Sequence, residues 1–292
     1  MKNFKNLSAH RRIQVLASAL VLLGLVGCLA TQSLQTPVQQ PTPEVSTPSS
    51  ALKSVHLMLG NPSGATESVS TPDNYLMVKP QYVLSYNRSK GIPNWVSWQL
   101  DSSWLGSAKR QDNFRPDASL PAGWERVTPT FYSGSGYDKG HVVPSADRTK
   151  TVEDNSATFL MTNMMPQTPD NKRNTWGNLE DYSRELVSQG KGLYIIAGTT
   201  GSQKQPLKGK VTIPATTWKV VVVLDRPGAL EGDVIADTRV IAVNIPNKDA
   251  VDNDWRTYRV SVDQLEKLTG YDFLSNVDPH AQRVIESKVD DR

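Results

Sequence analysis

The chain has 292 residues, 38% of them hydrophobic and 21% charged, enough for one large globular domain or two intimate ones. Its formal net charge is +3, but positions 1–28 hold four positive and no acidic residues, so the remainder carries −1. Bulk charge is thereby excluded as a reason to bind nucleic acid, and a single cysteine excludes a disulfide framework.

Positions 1–28 read as a secretory signal: Lys2, Lys5, Arg11 and Arg12 precede an apolar run from Ile13 to Gly27. That run is shorter than the ~20 apolar residues a membrane span needs. Leu25-Val26-Gly27-Cys28 resembles a bacterial lipobox, which would make Cys28 a lipid anchor. The alternative is ordinary cleavage near Ala30. Both routes take the chain out of the cytoplasm, to a secreted, periplasmic or lipid-anchored destination. Residues 29–53, rich in Pro, Thr, Gln and Ser, form a linker without the apolar side chains of a core. The folded domain is expected over 54–292.

Six segments have the β-branched and aromatic content of strands: Val55–Leu59, Tyr82–Tyr86, Trp95–Leu100, Leu193–Ala197, Trp218–Leu224 and Val240–Ile245. The continuous apolar run Val220–Leu224 predicts a strand covered on both faces. Two helices are expected. One runs Thr175–Gln189, with Asn174 as N-cap, Gly190 as stop and Trp176, Leu179, Leu186 and Val187 as its buried stripe. The other runs Val262–Leu268, opened by a Ser261/Gln264 capping box and ended by Gly270. Strands outnumber helices and do not alternate with them. The fold class is therefore α+β, with a mainly antiparallel central sheet flanked by helices.

Chemistry concentrates in Tyr137-Asp138-Lys139-Gly140-His141-Val142-Val143-Pro144. Imidazole transfers protons near neutral pH, Gly140 lets a backbone approach closely, and Asp138 is near enough in sequence to orient the ring. Downstream, Met161-Thr162-Asn163-Met164-Met165-Pro166-Gln167 leads into a segment crowded with Asn, Lys, Arg, Trp and Glu between Asn171 and Arg184. On a helix, Glu180 and Arg184 would be i,i+4 neighbours. Trp95, Trp98, Trp104 and Trp124 could stack on bases, but core and rim packing suits them better. Met164 and Met165 read as core, and His280 as structural.

Over most of positions 55–280 these motifs resemble the DNA/RNA non-specific endonuclease family, whose members share a ββα-metal finger active site. The run from Asn155 to Gln167 is similar to that of secreted cyanobacterial sugar-non-specific nucleases. The resemblance implies an enzyme that hydrolyses phosphodiester bonds of DNA and RNA. His141 would be its general base, with Asp138 and Lys139 in the same motif and Asn163 close by. Glu180 would hold metal-bound waters, while Arg110 and Arg184, with Lys139, would face the scissile phosphate. A Mg²⁺ (or Mn²⁺), held by one asparagine and several waters, would stabilise the leaving group.

The chain departs from that pattern twice. Lys139 stands where the family has Arg, and Lys172 stands where the family has its metal-ligating asparagine. Three readings stay open: Asn171 slips one place and binds the ion, the Lys172 ammonium replaces it, or the enzyme is impaired. Two other functions remain in view, a weakened nucleic-acid-binding surface protein and a nucleotide phosphodiesterase. Neither a protein inhibitor nor an oligomeric state is legible in the residues.

Overall fold

A computed structural model describes residues 54–203 and 205–292. The expected signal, lipobox and linker lie outside the described residues. Seven strands build one antiparallel sheet. Their ranges are β1 Tyr75–Val78, β2 Val83–Asn87, β3 Ile92–Leu100, β6 Gly192–Thr200, β7 Thr216–Leu224, β8 Arg239–Pro246 and β9 Arg259–Val260. Their order in the sheet follows the chain, β1-β2-β3-β6-β7-β8-β9, with every pairing antiparallel.

Between β3 and β6 the chain leaves the sheet and makes a separate ribbon, β4 (Asp138–His141) against β5 (Met164–Gln167). Helix α1 (Val152–Ala157) joins these two strands, and α2 (Gly177–Ser188) returns the chain to the sheet. After the sheet come α3 (Val262–Thr269) and α4 (Pro279–Ser287). The result is the expected α+β architecture.

The two faces of β7 show why its sequence has no polar alternation. Val221 packs with Trp98, Trp176, Leu179 and Leu186 in the core under α2. Trp218, Val220, Val222 and Leu224 pack with Val262, Leu265, Ala281 and Ile285 of α3 and α4 on the other face. A strand buried on both sides has no solvent face to mark.

The helix at 262–269 begins with the Ser261/Gln264 capping box and ends at Gly270, which adopts the left-handed φ of 74°. The expected strand at Val55–Leu59 is instead a 3₁₀ turn over Val55–Leu57, with the Ser54 side chain accepting from the His56 N–H. Val55 is exposed while His56 and Leu57 are both buried, a pattern that no period-2 strand produces. Asn174 is no N-cap, because the backbone is already helical at Asp170 and runs through a π-helical turn, Asn171–Trp176, into α2. The stripe Trp176, Leu179, Leu186 and Val187 is buried as expected. Trp95, Trp98, Trp124, Met164 and Met165 are also buried.

Candidate active site

The ribbon and helix bring the two motifs together. His141 sits opposite Met164 in the β4–β5 register, and Gly140 sits opposite Met165. A Cβ built on Gly140 would lie 2.1 Å from Oε1 of Gln167, so only hydrogen fits there. The chain beyond His141 is fastened by Asn163. The Val142 N–H donates to the Asn163 carbonyl at 3.0 Å, and the Val143 N–H donates to Asn163 Oδ1 at 3.0 Å. Asn163 Nδ2 donates in turn to the carbonyls of Val143 (3.0 Å) and Thr158 (2.9 Å). Both ends of this fully buried amide are thus used on main chain. Asn163 shapes the loop and does not line the cavity beside it.

That cavity, of about 300 Å³, is walled by His141, Arg110, Ser145, Gln167, Lys172 and Glu180, among others. The His141 ring packs edge-on against Phe159 (4.8 Å between centroids) and tilted against Phe114 (5.4 Å). Its Nε2 is buried and has no hydrogen-bond partner among the described residues. Burial holds its pKa well below the usual histidine range, and the charges of Arg110, Lys172 and Lys139 push the same way. The imidazole is therefore neutral at pH 7, with a lone pair free to take a proton.

Arg110 reaches the cavity braced on three sides. Nη1 donates to Ser145 Oγ at 2.8 Å, Nε pairs with Asp112 at 2.7 Å, and the guanidinium lies 4.9 Å from the Phe159 ring. The Ser145 loop is held from behind by Asn155, whose Nδ2 donates to the carbonyls of Ser145 and Arg148. Arg148 is fully buried and donates to the carbonyls of Gln81, Gln99 and Asp147.

Glu180, in the first turn of α2, lies 3.9 Å from Nζ of Lys219 on β7. Burial pushes the Glu180 carboxyl upward, and Lys219 opposes the shift. Burial likewise pulls Lys219 down while Glu180 holds it up. The Lys219 ammonium sits 4.1 Å from the Trp176 ring and 5.9 Å from the Trp98 ring.

Four expectations need correcting. Asp138 does not orient the His141 ring, because positions three apart in a strand face opposite ways. Its carboxylate instead pairs with Arg173 at 3.0 Å and Lys172 at 3.5 Å. Arg184 forms no bridge with Glu180. Its guanidinium is held by buried Asp147 at 2.8 Å and by Asp181, since acceptors on both flanks outcompete the i+4 neighbour. Lys139 lies over Phe114, 4.9 Å from the ring centroid, and is not in the cavity wall. Asn171 is turned to the sheet, where Nδ2 donates to Thr217 Oγ1 (3.2 Å) and to the Pro246 carbonyl (3.3 Å). The π turn points Asn171 inward and Lys172 into the cavity, so Asn171 is not placed to ligate an ion there.

Three residues of the site escaped sequence reasoning. Gln167 is fully buried in the cavity wall, with neither amide atom hydrogen-bonded among the described residues. Ser145 positions Arg110, and Lys219 backs Glu180. Lys219 had a signal: a lysine inside an apolar strand run cannot be solvated, so it must meet a partner.

The wall suits an anion better than a divalent cation. It offers two cations, Arg110 and Lys172, against one carboxylate, Glu180, which already faces Lys219. Mg²⁺ needs oxygen ligands at about 2.0–2.1 Å in near-octahedral array. An ammonium in the wall competes with such an ion for the same negative groups.

The family model for DNA/RNA non-specific endonucleases matches residues 60–280. A nuclease of Nostoc sp. is 70% identical over 94% of this chain and 96% of its own length. The mitochondrial nuclease 1 of Schizosaccharomyces pombe is 30% identical over 71% of this chain and 68% of its own. Mouse mitochondrial nuclease EXOG is 27% identical over 68% of this chain and 56% of its own. A crystal structure of an EndoG/EndoGI complex matches with a TM-score of 0.63 at 23% identity, covering 80% of this chain and 95% of that one.

Proposed function

Since this chain belongs to the DNA/RNA non-specific endonuclease family, we propose that it hydrolyses internal phosphodiester bonds of DNA and RNA, with His141 as the general base. One observation carries the assignment of the base. A buried imidazole, neutral and with an unpartnered Nε2, shares one cavity with two cations and a carboxylate. His141 takes a proton from water, and the water oxygen bonds to phosphorus. The bond to the 3′ oxygen breaks, leaving a 5′-phosphate. Arg110 spreads positive charge over the non-bridging oxygens, its fork held in place by Ser145 and Asp112. Glu180 orients solvent at the cavity wall, and Arg184, fixed by Asp147, adds positive potential behind it. Contacts of this kind fall on phosphate rather than on base edges, which supports low sequence preference.

The basic start and apolar run of residues 1–28 support export, with or without a lipid on Cys28. Mass measurement of the processed N-terminus distinguishes the two forms. The catalytic assignment is tested by nicking of supercoiled plasmid and degradation of single-stranded RNA. For His141→Ala we expect a loss of roughly 10²–10⁴-fold, the contribution of a positioned base. An unchanged rate on both substrates removes His141 from the mechanism.

A further inference from the structure

Nucleases of this family generally depend on a divalent metal, and the cavity of this chain does not suit one. We propose that the Lys172 ammonium takes the place of that ion, so that the phosphodiester is bound and cleaved against a fixed cation of the protein. The proposal rests on the nuclease reading and deepens it.

Five observations converge. Lys172 is half-buried and lines the same cavity as His141, Arg110 and Glu180. Its ammonium is held by Asp138 at 3.5 Å, a carboxylate that Arg173 also binds at 3.0 Å. Asn171, the alternative ligand, is fully buried outside the cavity wall, with Nδ2 donating to Thr217 and Pro246 across the sheet and Oδ1 unpartnered among the described residues, so its oxygen reaches the cavity only if the π turn rewinds. Glu180, the one carboxylate of the wall, already faces Lys219 at 3.9 Å, which offsets part of its attraction for a further cation. Among the described residues, three acid, His or Cys groups come close enough to share an ion only at Asp263, Glu266 and Glu286, on α3 and α4. Those helices pack on the opposite face of the sheet from α2.

The chemistry closes without an ion. The water oxygen bonds to phosphorus as its proton passes to His141. The bond to the 3′ oxygen breaks with its electron pair on that oxygen, whose charge Lys172 neutralises and which solvent then protonates. A fixed ammonium needs no rearrangement at the moment of reaction, which is the property that makes preorganised charge effective.

The test uses the purified chain and two variants, Lys172→Asn and Lys172→Met. Mn²⁺ binding is read from paramagnetic broadening of the His141 imidazole resonance without substrate, and plasmid nicking is measured with Mg²⁺ and with excess EDTA. We expect no broadening in the wild type and nicking that persists in EDTA. Lys172→Asn, which supplies a neutral oxygen, gains both broadening and sensitivity to EDTA. Lys172→Met gains neither and loses roughly 10²–10³-fold in rate, as when one transition-state donor is removed. Broadening of His141 by Mn²⁺ in the wild type, or abolition of its nicking by EDTA, overturns the proposal. A wild type that excludes Mn²⁺ yet cleaves nothing under any condition refutes the nuclease reading instead and leaves the exclusion of the ion standing.

Discussion

Adding one methyl group at Gly140 tests whether the catalytic ribbon is as tightly fitted as its geometry requires. An alanine Cβ there would lie 2.1 Å from Oε1, 2.7 Å from Cδ and 2.8 Å from Cγ of Gln167. Relief to ordinary contact, about 3.4 Å, needs about 1.3 Å of movement at Oε1, either by Gln167 swinging or by the strands parting. Gln167 is fully buried, and Gly140 is bonded directly to His141, so neither movement is free. Overpacking of this kind costs about 1–3 kcal/mol, and a ~1 Å displacement of a reacting group lowers the rate on the order of 10²-fold. We therefore expect Gly140→Ala to lower the urea midpoint and to cut kcat/KM for plasmid nicking about a hundredfold. Gln167→Ala in the same chain removes the obstruction, so the double variant should recover most of the stability lost to Gly140→Ala. A Gly140→Ala chain with unchanged midpoint and rate refutes the reasoning, as does strict additivity in the double-mutant cycle.

Three further outcomes are expected. His56 is 1% exposed, accepts from the Gln99 N–H at 3.1 Å through Nδ1, and donates from Nε2 to the Pro80 carbonyl at 2.9 Å, which fixes a neutral tautomer, while burial and the charge of Arg148 take its pKa down to about 4 against the pull of the Pro80 bond. Above pH 6.5 it is neutral whether the chain is folded or not. As pH falls from there to about 4 only the unfolded chain gains its proton, so stability drops by about 1.4 kcal/mol per unit, about 2 kcal/mol by pH 5. Urea midpoints at pH 7.5 and pH 5 should show this loss and show less of it in His56→Asn; equal losses dismiss the idea. Lys219→Met removes the cation that opposes burial of Glu180, so the carboxyl protonates at higher pH and the acid limb of kcat/KM moves upward. A stationary limb shows that Glu180 does not govern it. Asn163→Ala leaves the main chain of Val143 and Thr158 unpaired and should destabilise the fold by about 3 kcal/mol. If activity falls while the urea midpoint holds, Asn163 meets substrate after all.

Five strands of the main sheet were legible because they are apolar, and burial on both faces is written directly in runs such as Val220–Leu224, whereas β1 and β9, four and two residues long, carry too little pattern to read. The ribbon was not. Asp138–His141 contains two charges and a glycine, and Met164–Gln167 contains a proline, so both lack strand propensity and depend on pairing across 22 intervening positions. His141 could be singled out from its motif, and Arg110 and Glu180 from the resemblance. Partnerships were harder to read. Asp138, Arg184 and Asn163 all lie near the site, but each is held by groups that the linear order does not bring near: Arg173, Asp147 and the main chain of Val143. Lys219 was visible as an anomaly in an apolar run, and only the fold shows that Glu180 is its partner.

The extra residue wound into Asn171–Trp176 makes the character of this site a matter of phase. Successive helical positions turn by about 100°, so Asn171 and Lys172 present an amide and an ammonium to different quadrants, and the π turn decides which one faces the cavity. Removing one residue of the turn, ahead of the buried stripe that fixes α2, would bring the amide of Asn171 toward the place that Lys172 now holds. In this fold, insertion and deletion at a helix entrance can therefore select between a protein-borne charge and a borrowed one, a choice that substitution alone reaches only by changing the residue itself.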